Sequence, residues 1–136
     1  MTLKHQPPTK RDTILVIDDE PDICELFEQV LGAEGYAVLS AHNGLEGVER
    51  NTEKNPDVII LDLNMPKMDG VATLKSIRQT DPEVAVIILT GYGSAATIRD
   101  VLDLNVYEYI AKPFENETMR RVVKEALASG SCEKHG

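Results

Sequence analysis

Five short apolar runs alternate with longer segments in which apolar residues recur every three or four positions. The runs lie at 13–17, 36–40, 57–61, 84–89 and 106–110. Three of them, ILVI, VIIL and VAVIIL, lack polar alternation, which is typical of strands covered by helices on both faces. The first helical segment carries Ile23, Leu26, Phe27, Val30 and Leu31 on one helical face. The pattern predicts an α/β protein with a mostly parallel sheet, in which a helix follows each strand.

The two ends of the chain do not share this pattern. Residues 1–11 include two adjacent prolines and no periodicity, and they are expected to form a flexible arm. Residues 129–136 are small and polar, and they are expected to be a tail or the start of a linker. Residues 12–128 are therefore predicted to be one domain, and a chain of 136 residues leaves no room for a second.

Local signals mark the helix boundaries between these runs. Asn43 is a candidate N-cap for the second helix, and Gly44 and Gly47 are expected to weaken that helix. Asn105, just before the fifth run, is expected to adopt a left-handed backbone conformation.

Composition and charge exclude several classes of partner. The chain has 23 acidic and 14 basic side chains and a net charge of -9, so direct contact with nucleic acid or anionic lipid is not expected. Cys24 and Cys132 have no metal-binding spacing, which favours a reducing, cytoplasmic setting. No apolar run approaches the roughly 18 residues of a membrane span, and no secretory leader is recognisable. A soluble, cytoplasmic protein is the expectation.

Candidate chemistry lies where the strands end. Ligands of open parallel sheets bind beyond the carboxyl ends of the strands. Asp18 and Asp19 follow the first predicted strand, Asp62 the third and Thr90 the fourth, while Lys112 lies just past the fifth. Each alone is an ordinary solvated or capping side chain. Carboxylates gathered at one edge, however, raise the cost of ionising one another, and a bound cation would remove that cost.

Magnesium is the cation that this set favours. Oxygen ligands without histidine or cysteine suit Mg²⁺, which binds through one or two carboxylates and phosphate oxygens. A carboxylate can also attack phosphorus and form an aspartyl phosphate. Asp62 is the best candidate nucleophile because it stands alone after its strand, whereas Asp18 and Asp19 form a pair.

Four stretches together identify a resemblance to a known family. ILVIDDE, VIILDLNMPKMDG, VIILTGYG and YEYIAKPF resemble the signature stretches of the response regulator receiver domain, in order and at the expected separations, over about residues 12–127. The resemblance implies a flavodoxin-like, doubly wound three-layer sandwich. Its parallel sheet would have five strands in the order 2-1-3-4-5, with five helices.

The resemblance also assigns roles at the strand ends. Asp62 would be phosphorylated by a sensor histidine kinase or a histidine phosphotransfer protein. Asp18, Asp19 and Asp62, with the backbone carbonyl of Asn64, would hold Mg²⁺, and Lys112 would pair with the phosphoryl group. The domain would then catalyse only its own phosphotransfer and its own dephosphorylation, without acting as an enzyme on an external substrate.

A switch is implied as well. Thr90 would turn towards the phosphoryl group and Tyr109 would turn inward, while Asn64 and Tyr92 would tune the lifetime of the phosphate. The output would be a downstream effector protein or a fused output domain, and a phosphorylation-dependent dimer is a further expectation. A hypothesis for the contact face comprises Arg99, Asp100, Tyr107, Glu108, Arg120 and Lys124. The Lys112–Pro113 peptide would be cis.

Three alternatives remain at this point. A scaffold with this fold that is never phosphorylated would carry the same residues. A phosphatase of the haloacid dehalogenase type also uses an aspartate and Mg²⁺, but it expects a second aspartate at the position of Asn64. A flavin-binding electron carrier is disfavoured because DDEPD places acidic groups where a phosphate cradle would lie.

Overall fold

A computed structural model describes residues 11–65, 69–91 and 95–135 and confirms the α/β fold. One parallel sheet has the strand order β2-β1-β3-β4-β5. The strands are β1 (Thr13–Ile17), β2 (Ala37–Ala41), β3 (Val58–Asp62), β4 (Ala85–Thr90) and β5 (Glu108–Ala111). The helices are α1 (Pro21–Ala33), α2 (Gly44–Lys54), α3 (Asp69–Thr80), α4 (Ala95–Val101) and α5 (Asn116–His135), and a 3-10 turn spans Leu102–Leu104.

The sheet separates two hydrophobic clusters. Successive side chains of a strand point to opposite faces, so alternate residues enter different clusters. In β1, Ile14 and Val16 belong to the cluster under α1 and α5, whereas Leu15 and Ile17 belong to the cluster under α3 and α4. These strand residues are fully buried. The molecule is therefore a three-layer sandwich whose central layer serves both faces.

Several strand boundaries lie later than the apolar pattern predicted. β3 and β4 each extend one residue further, so Asp62 and Thr90 are the last residues of their strands. Asp62 pairs in register with Leu89, which shows that it still belongs to the ladder. β5 starts at Glu108 because Asn105 turns the chain with φ of 60° just before it, as expected for this residue. The apolar pattern therefore does not predict the residues at which the hydrogen-bonded strand pairing begins and ends.

Helix α2 is well formed despite its two glycines. The Asn43 side chain accepts a hydrogen bond from the Glu46 N–H at 2.8 Å, and the Glu46 carboxylate accepts one from the His42 N–H at 2.7 Å. This reciprocal pair satisfies two donors at the helix N-terminus. Gly47 serves close packing, since a Cβ there would lie 2.6 Å from Ile17 Cδ1. The helix is thus formed and capped, and the expectation that its glycines weaken it stays a prediction.

Helix α5 continues to His135, through most of the segment expected to be a tail. That segment contains no proline, so nothing in it removes a backbone donor from the helix. Among the described helices, none is long and apolar enough to cross a membrane.

Candidate functional site

Asp18 is a fully buried carboxylate at the end of β1. Its N–H donates to the Ala41 carbonyl at 3.0 Å, which prolongs the pairing with β2 by one residue. One carboxylate oxygen, Oδ1, accepts a hydrogen bond from the Glu20 N–H at 2.9 Å. Burial is the main cause that raises the pKa of Asp18 to about 6, and the charge of Asp62 adds to it. The site therefore holds a carboxyl group that ionises reluctantly in the absence of a cation.

Asp62 ends β3 and is almost as deeply buried. Its Oδ1 accepts a hydrogen bond from the Asn64 N–H at 2.9 Å, which fixes the side chain over the following turn. The Leu63 N–H donates to the Leu89 carbonyl at 3.1 Å and keeps this turn against β4. One carboxylate oxygen is thereby held by the backbone, and the other is directed towards Lys112.

Lys112 bridges the two buried carboxylates. Its Nζ lies 3.3 Å from Asp18 Oδ2 and 3.2 Å from Asp62 Oδ2. Its N–H donates to the Thr90 carbonyl at 2.7 Å, and the Lys112–Pro113 peptide is cis, as the resemblance implied. Burial by itself would lower the pKa of Lys112, but the two carboxylates outweigh it and the pKa is raised. Lys112 is therefore a charged ammonium group in the site.

The donor set fits a hard divalent cation. Carboxylate oxygens of Asp18, Asp19 and Asp62 all lie within 4.8 Å of one another. Asp18 and Asp62 are buried and Asp19 is exposed, so the cluster opens to solvent on one side. Oxygen-only ligands with one open side suit Mg²⁺, which keeps several of its waters. The three carboxylates predicted from the sequence are thus brought together by the fold.

Thr90 and Tyr109 lie on the other face of the sheet. By strand alternation Asp62 follows Val58 and Ile60 of the α1–α5 cluster, whereas Thr90 follows residues of the α3–α4 cluster. Tyr109 is half-buried against that second cluster. The Thr90 hydroxyl donates to the Ile110 carbonyl at 3.4 Å, which is a long hydrogen bond. Tyr92, expected to tune phosphate lifetime, lies outside the described residues.

Two glycines shape the site in ways that the sequence did not reveal. A Cβ on Gly70 would lie 2.7 Å from the Asp62 carbonyl oxygen and 2.8 Å from Leu63 Cα, so α3 starts in backbone contact with the end of β3. A Cβ on Gly91 would lie 2.7 Å from the Asn64 side-chain nitrogen. The contact of Gly70 could not be predicted from the sequence, because no local pattern shows which backbone a glycine will meet.

Cys24 also contacts the site from α1. Its thiol donates to the Asp18 carbonyl at 3.5 Å and lies 3.8 Å from His42 Nδ1. Burial raises the pKa of this thiol to about 11. Cys24 is therefore a protonated core residue that supports the turn after β1, a contact that was not predicted from the sequence.

The fold and the site together define a class: a doubly wound parallel α/β domain with an acidic cluster and a lysine at the carboxyl edge of its sheet. The model of the response regulator receiver domain matches residues 14–124. The chain belongs to this family of two-component signalling domains.

Individual relatives agree with this assignment. Sporulation initiation phosphotransferase F of Bacillus subtilis is 36% identical over 116 residues, covering 85% of this chain and 94% of the relative. The transcriptional regulatory protein ZraR of Klebsiella oxytoca is 36% identical over 115 residues, covering 85% of this chain. This chain spans only 26% of the length of that ZraR.

Solved structures confirm the fold. A response regulator receiver domain protein from Clostridium thermocellum superposes with a TM-score of 0.82 and 33% identity, covering 89% of this chain and 98% of the other. A CheY-like receiver domain protein from Methanospirillum hungatei JF-1 gives a TM-score of 0.85 and 28% identity, with coverage of 93% and 100%.

Proposed function

We propose that this domain is a phosphoacceptor in a phosphorelay, phosphorylated on Asp62 in a Mg²⁺-dependent reaction. The donor is a phosphohistidine of a sensor histidine kinase or of a histidine phosphotransfer protein. The observation that carries the proposal is the buried bridge of Lys112 between Asp62 and Asp18. It sets an ammonium group beside the candidate nucleophile, at the edge of the sheet where ligands of such folds bind.

The transfer is a displacement at phosphorus. A carboxylate oxygen of Asp62 attacks the phosphorus atom, the new O–P bond forms, and the P–N bond to histidine breaks. Its electron pair remains on the imidazole nitrogen, which takes up a proton from water. Hydrolysis follows when water attacks the same phosphorus: the O–P bond to Asp62 breaks, its electron pair returns to the carboxylate, and inorganic phosphate leaves. The domain is proposed to catalyse only these two reactions, its own phosphorylation and dephosphorylation.

The side chains of the site have separate tasks in this step. The Asn64 N–H holds Asp62 Oδ1, which leaves Oδ2 as the oxygen paired with the ammonium of Lys112. Lys112 compensates negative charge on the transferring group. Asp18, Asp19 and Asp62, with the carbonyl of Asn64, are the proposed Mg²⁺ ligands, and bound Mg²⁺ supplies further neutralisation of the phosphoryl oxygens. Asn64 and Tyr92 are proposed to tune the phosphate lifetime.

The proposed conformational switch on phosphorylation begins at Thr90. Its hydroxyl makes a long bond of 3.4 Å to the Ile110 carbonyl, which costs little to exchange for a charged phosphoryl oxygen. Movement of Thr90 changes the space next to Tyr109 on the same face, and this biases a protein-binding surface. The proposed surface comprises Arg99, Asp100, Tyr107, Glu108, Arg120 and Lys124.

The output of the switch is proposed from the relatives. One is named as a phosphotransferase of about this length, and another as a transcriptional regulatory protein about three times as long. We infer a separate effector protein or a fused output domain, with a phosphorylation-dependent dimer as a further route. The charge of -9 supports contact through protein rather than directly with nucleic acid. The cytoplasmic location stays a prediction.

Intact mass after incubation with acetyl phosphate and Mg²⁺ tests the proposal. We expect the mass of one phosphoryl group to be added, and both Asp62→Asn and a chelator to abolish the gain. Asp103→Asn is the matched control, because it removes an exposed carboxylate from the 3-10 turn. If neither acetyl phosphate nor a phosphohistidine donor gives a gain, the alternative of a phosphorylation-independent scaffold is correct. Steady release of phosphate from unrelated monoesters would instead indicate a phosphatase.

A further inference from the structure

Arg78 joins three segments at the edge of the sheet opposite Asp62. It lies in the last turn of α3, where a basic side chain ordinarily faces solvent and complements the helix dipole. Here the guanidinium donates four hydrogen bonds, all to main-chain carbonyls. They run from Nε to Leu104 (2.7 Å), from Nη1 to Val84 (2.8 Å) and Asp81 (3.1 Å), and from Nη2 to Asn105 (2.9 Å).

These bonds define a carbonyl clamp, consisting of Arg78 and its four acceptors. It links the end of α3, the residue before β4 and the connection from α4 to β5. A guanidinium presents five N–H groups in one rigid plane, so four acceptors fix the positions of all three segments at once. A lysine at this position has a single nitrogen with three donors and lacks the planar fork.

The clamp holds the start of β5, a strand of four residues at the edge of the sheet. At the other end of this strand, the Lys112 N–H donates to the Thr90 carbonyl at 2.7 Å, within the phosphoacceptor site. At its start, the Tyr107 N–H donates to the Val86 carbonyl at 2.8 Å, two residues after Asn105.

Tyr109 lies between these two anchors. Among the described residues its strand has a ladder partner on one side, β4, because β5 is the last strand of the described sheet. A displacement at the Thr90 end can therefore either slide the whole strand or be absorbed locally around Tyr109. The clamp opposes sliding.

We propose that Arg78 is a positioning residue of the switch, which fixes the start of β5 so that changes at Thr90 are taken up at Tyr109. The part of this inference that couples Thr90 to Tyr109 rests on the proposed function. The clamp itself is a property of the resting protein and is tested separately from phosphorylation.

The first test is amide hydrogen exchange of the resting protein, comparing wild type with Arg78→Gln and Arg78→Lys. We expect exchange at Tyr107 through Ile110 to rise roughly tenfold in Arg78→Gln and by less in Arg78→Lys. The amides of β1 and β3 should keep their protection. Arg50→Gln is the matched control, since it removes an arginine of α2 whose partner is Glu46. Unchanged exchange in β5, or an equal rise in every strand, would overturn the clamp.

The second test follows the Tyr109 ring by NMR before and after addition of acetyl phosphate and Mg²⁺. Arg78→Gln should gain the phosphoryl mass at the wild-type rate, because the clamp lies at the far edge of the sheet. The response of the Tyr109 ring signals should shrink to about half or less. A full response in Arg78→Gln would overturn the coupling. Absence of phosphorylation in wild type with both acetyl phosphate and a phosphohistidine donor would instead refute the proposed function, while the exchange data would still decide the clamp.

Discussion

Asp18 illustrates how burial and function oppose each other at a single residue. In the unfolded chain its carboxyl group has a pKa of about 3.9, whereas burial raises the pKa to about 6 in the folded protein. The folded, metal-free protein therefore binds more protons between these values, and its stability falls as the pH rises from about 4 to about 6. A cation that needs the ionised carboxylate competes with that proton.

Magnesium affinity is accordingly expected to depend on pH. Affinity should rise as the pH increases through about 6, because Asp18 must lose its proton, and then level off. At pH 5 we expect binding to be roughly tenfold weaker than at pH 7, since the group is then about one unit below its pKa. Isothermal titration calorimetry measures this directly. The Asp18→Asn variant should bind weakly and lose the step near pH 6, and an unchanged step would assign it to another group.

Alanine substitutions at Gly70 and Gly32 compare the change in stability when one methyl group is added at a crowded and at an open position. Gly70→Ala should destabilise the protein by roughly 1–3 kcal/mol, because its Cβ would meet backbone atoms that cannot move independently. Gly32→Ala, in α1, should raise stability by up to about 1 kcal/mol, since its Cβ meets nothing within 4 Å and alanine favours the helix. Urea denaturation followed by circular dichroism gives both values. Equal effects at the two sites would contradict the proposed contact between α3 and β3.

At the scale of elements, the approach of α2 to β1 depends on one small residue. Gly47→Ala would place a Cβ 2.6 Å from Ile17 Cδ1 and 2.9 Å from Cγ1. We expect a loss of about 1–2 kcal/mol, because Ile17 is fully buried and has little room to move. Ile17→Val removes the nearest atom, so the double variant should lose roughly 0.5–1 kcal/mol less than the sum of the single variants.

Ile14→Val provides the control for this double-mutant comparison of Gly47→Ala and Ile17→Val. Ile14 is equally buried but belongs to the cluster on the other face of the sheet. Its effect should therefore add to that of Gly47→Ala without coupling. Coupling of the same size at Ile14 would mean that the whole sheet shifts, rather than one helix contact.

Much of the architecture could be predicted at this scale, for physical reasons. Continuous apolar runs and helical periodicity are local in sequence, so they predicted the strands, the helices and the residues at the strand ends. Strand order came from the resemblance alone. The contacts of Arg78 with Leu104 and Asn105 span 26 and 27 residues, and no local pattern encodes them. The backbone contacts of Gly70 and the thiol contact of Cys24 span fewer than ten residues, but they depend on how a helix docks onto the end of a strand, which apolar periodicity does not encode.

For the whole molecule, bound Mg²⁺ should act as a stabilising ligand. The chain carries a net charge of -9 and concentrates three carboxylates at one edge of the sheet. A ligand that binds only the folded state adds about 2.7 kcal/mol at a concentration one hundred times its dissociation constant. Urea denaturation with saturating MgCl₂ should show a gain of this size, and NaCl of equal ionic strength should show much less. Asp19→Asn, which removes the exposed carboxylate of the proposed Mg²⁺ site, should lose most of the gain. Equal gains in both salts would indicate simple charge screening.

The two hydrophobic clusters have a consequence for the design of variants of this domain. Alternate side chains of each strand supply separate clusters, so the packing under α1 and α5 and the packing under α3 and α4 are made by different residues. Asp62 shares its side of the sheet with the first layer, and Thr90 and Tyr109 share theirs with the second. In the proposed mechanism the phosphoacceptor and the switch residues thus lie on different sides of the sheet, so each side can be randomised in a separate library of variants.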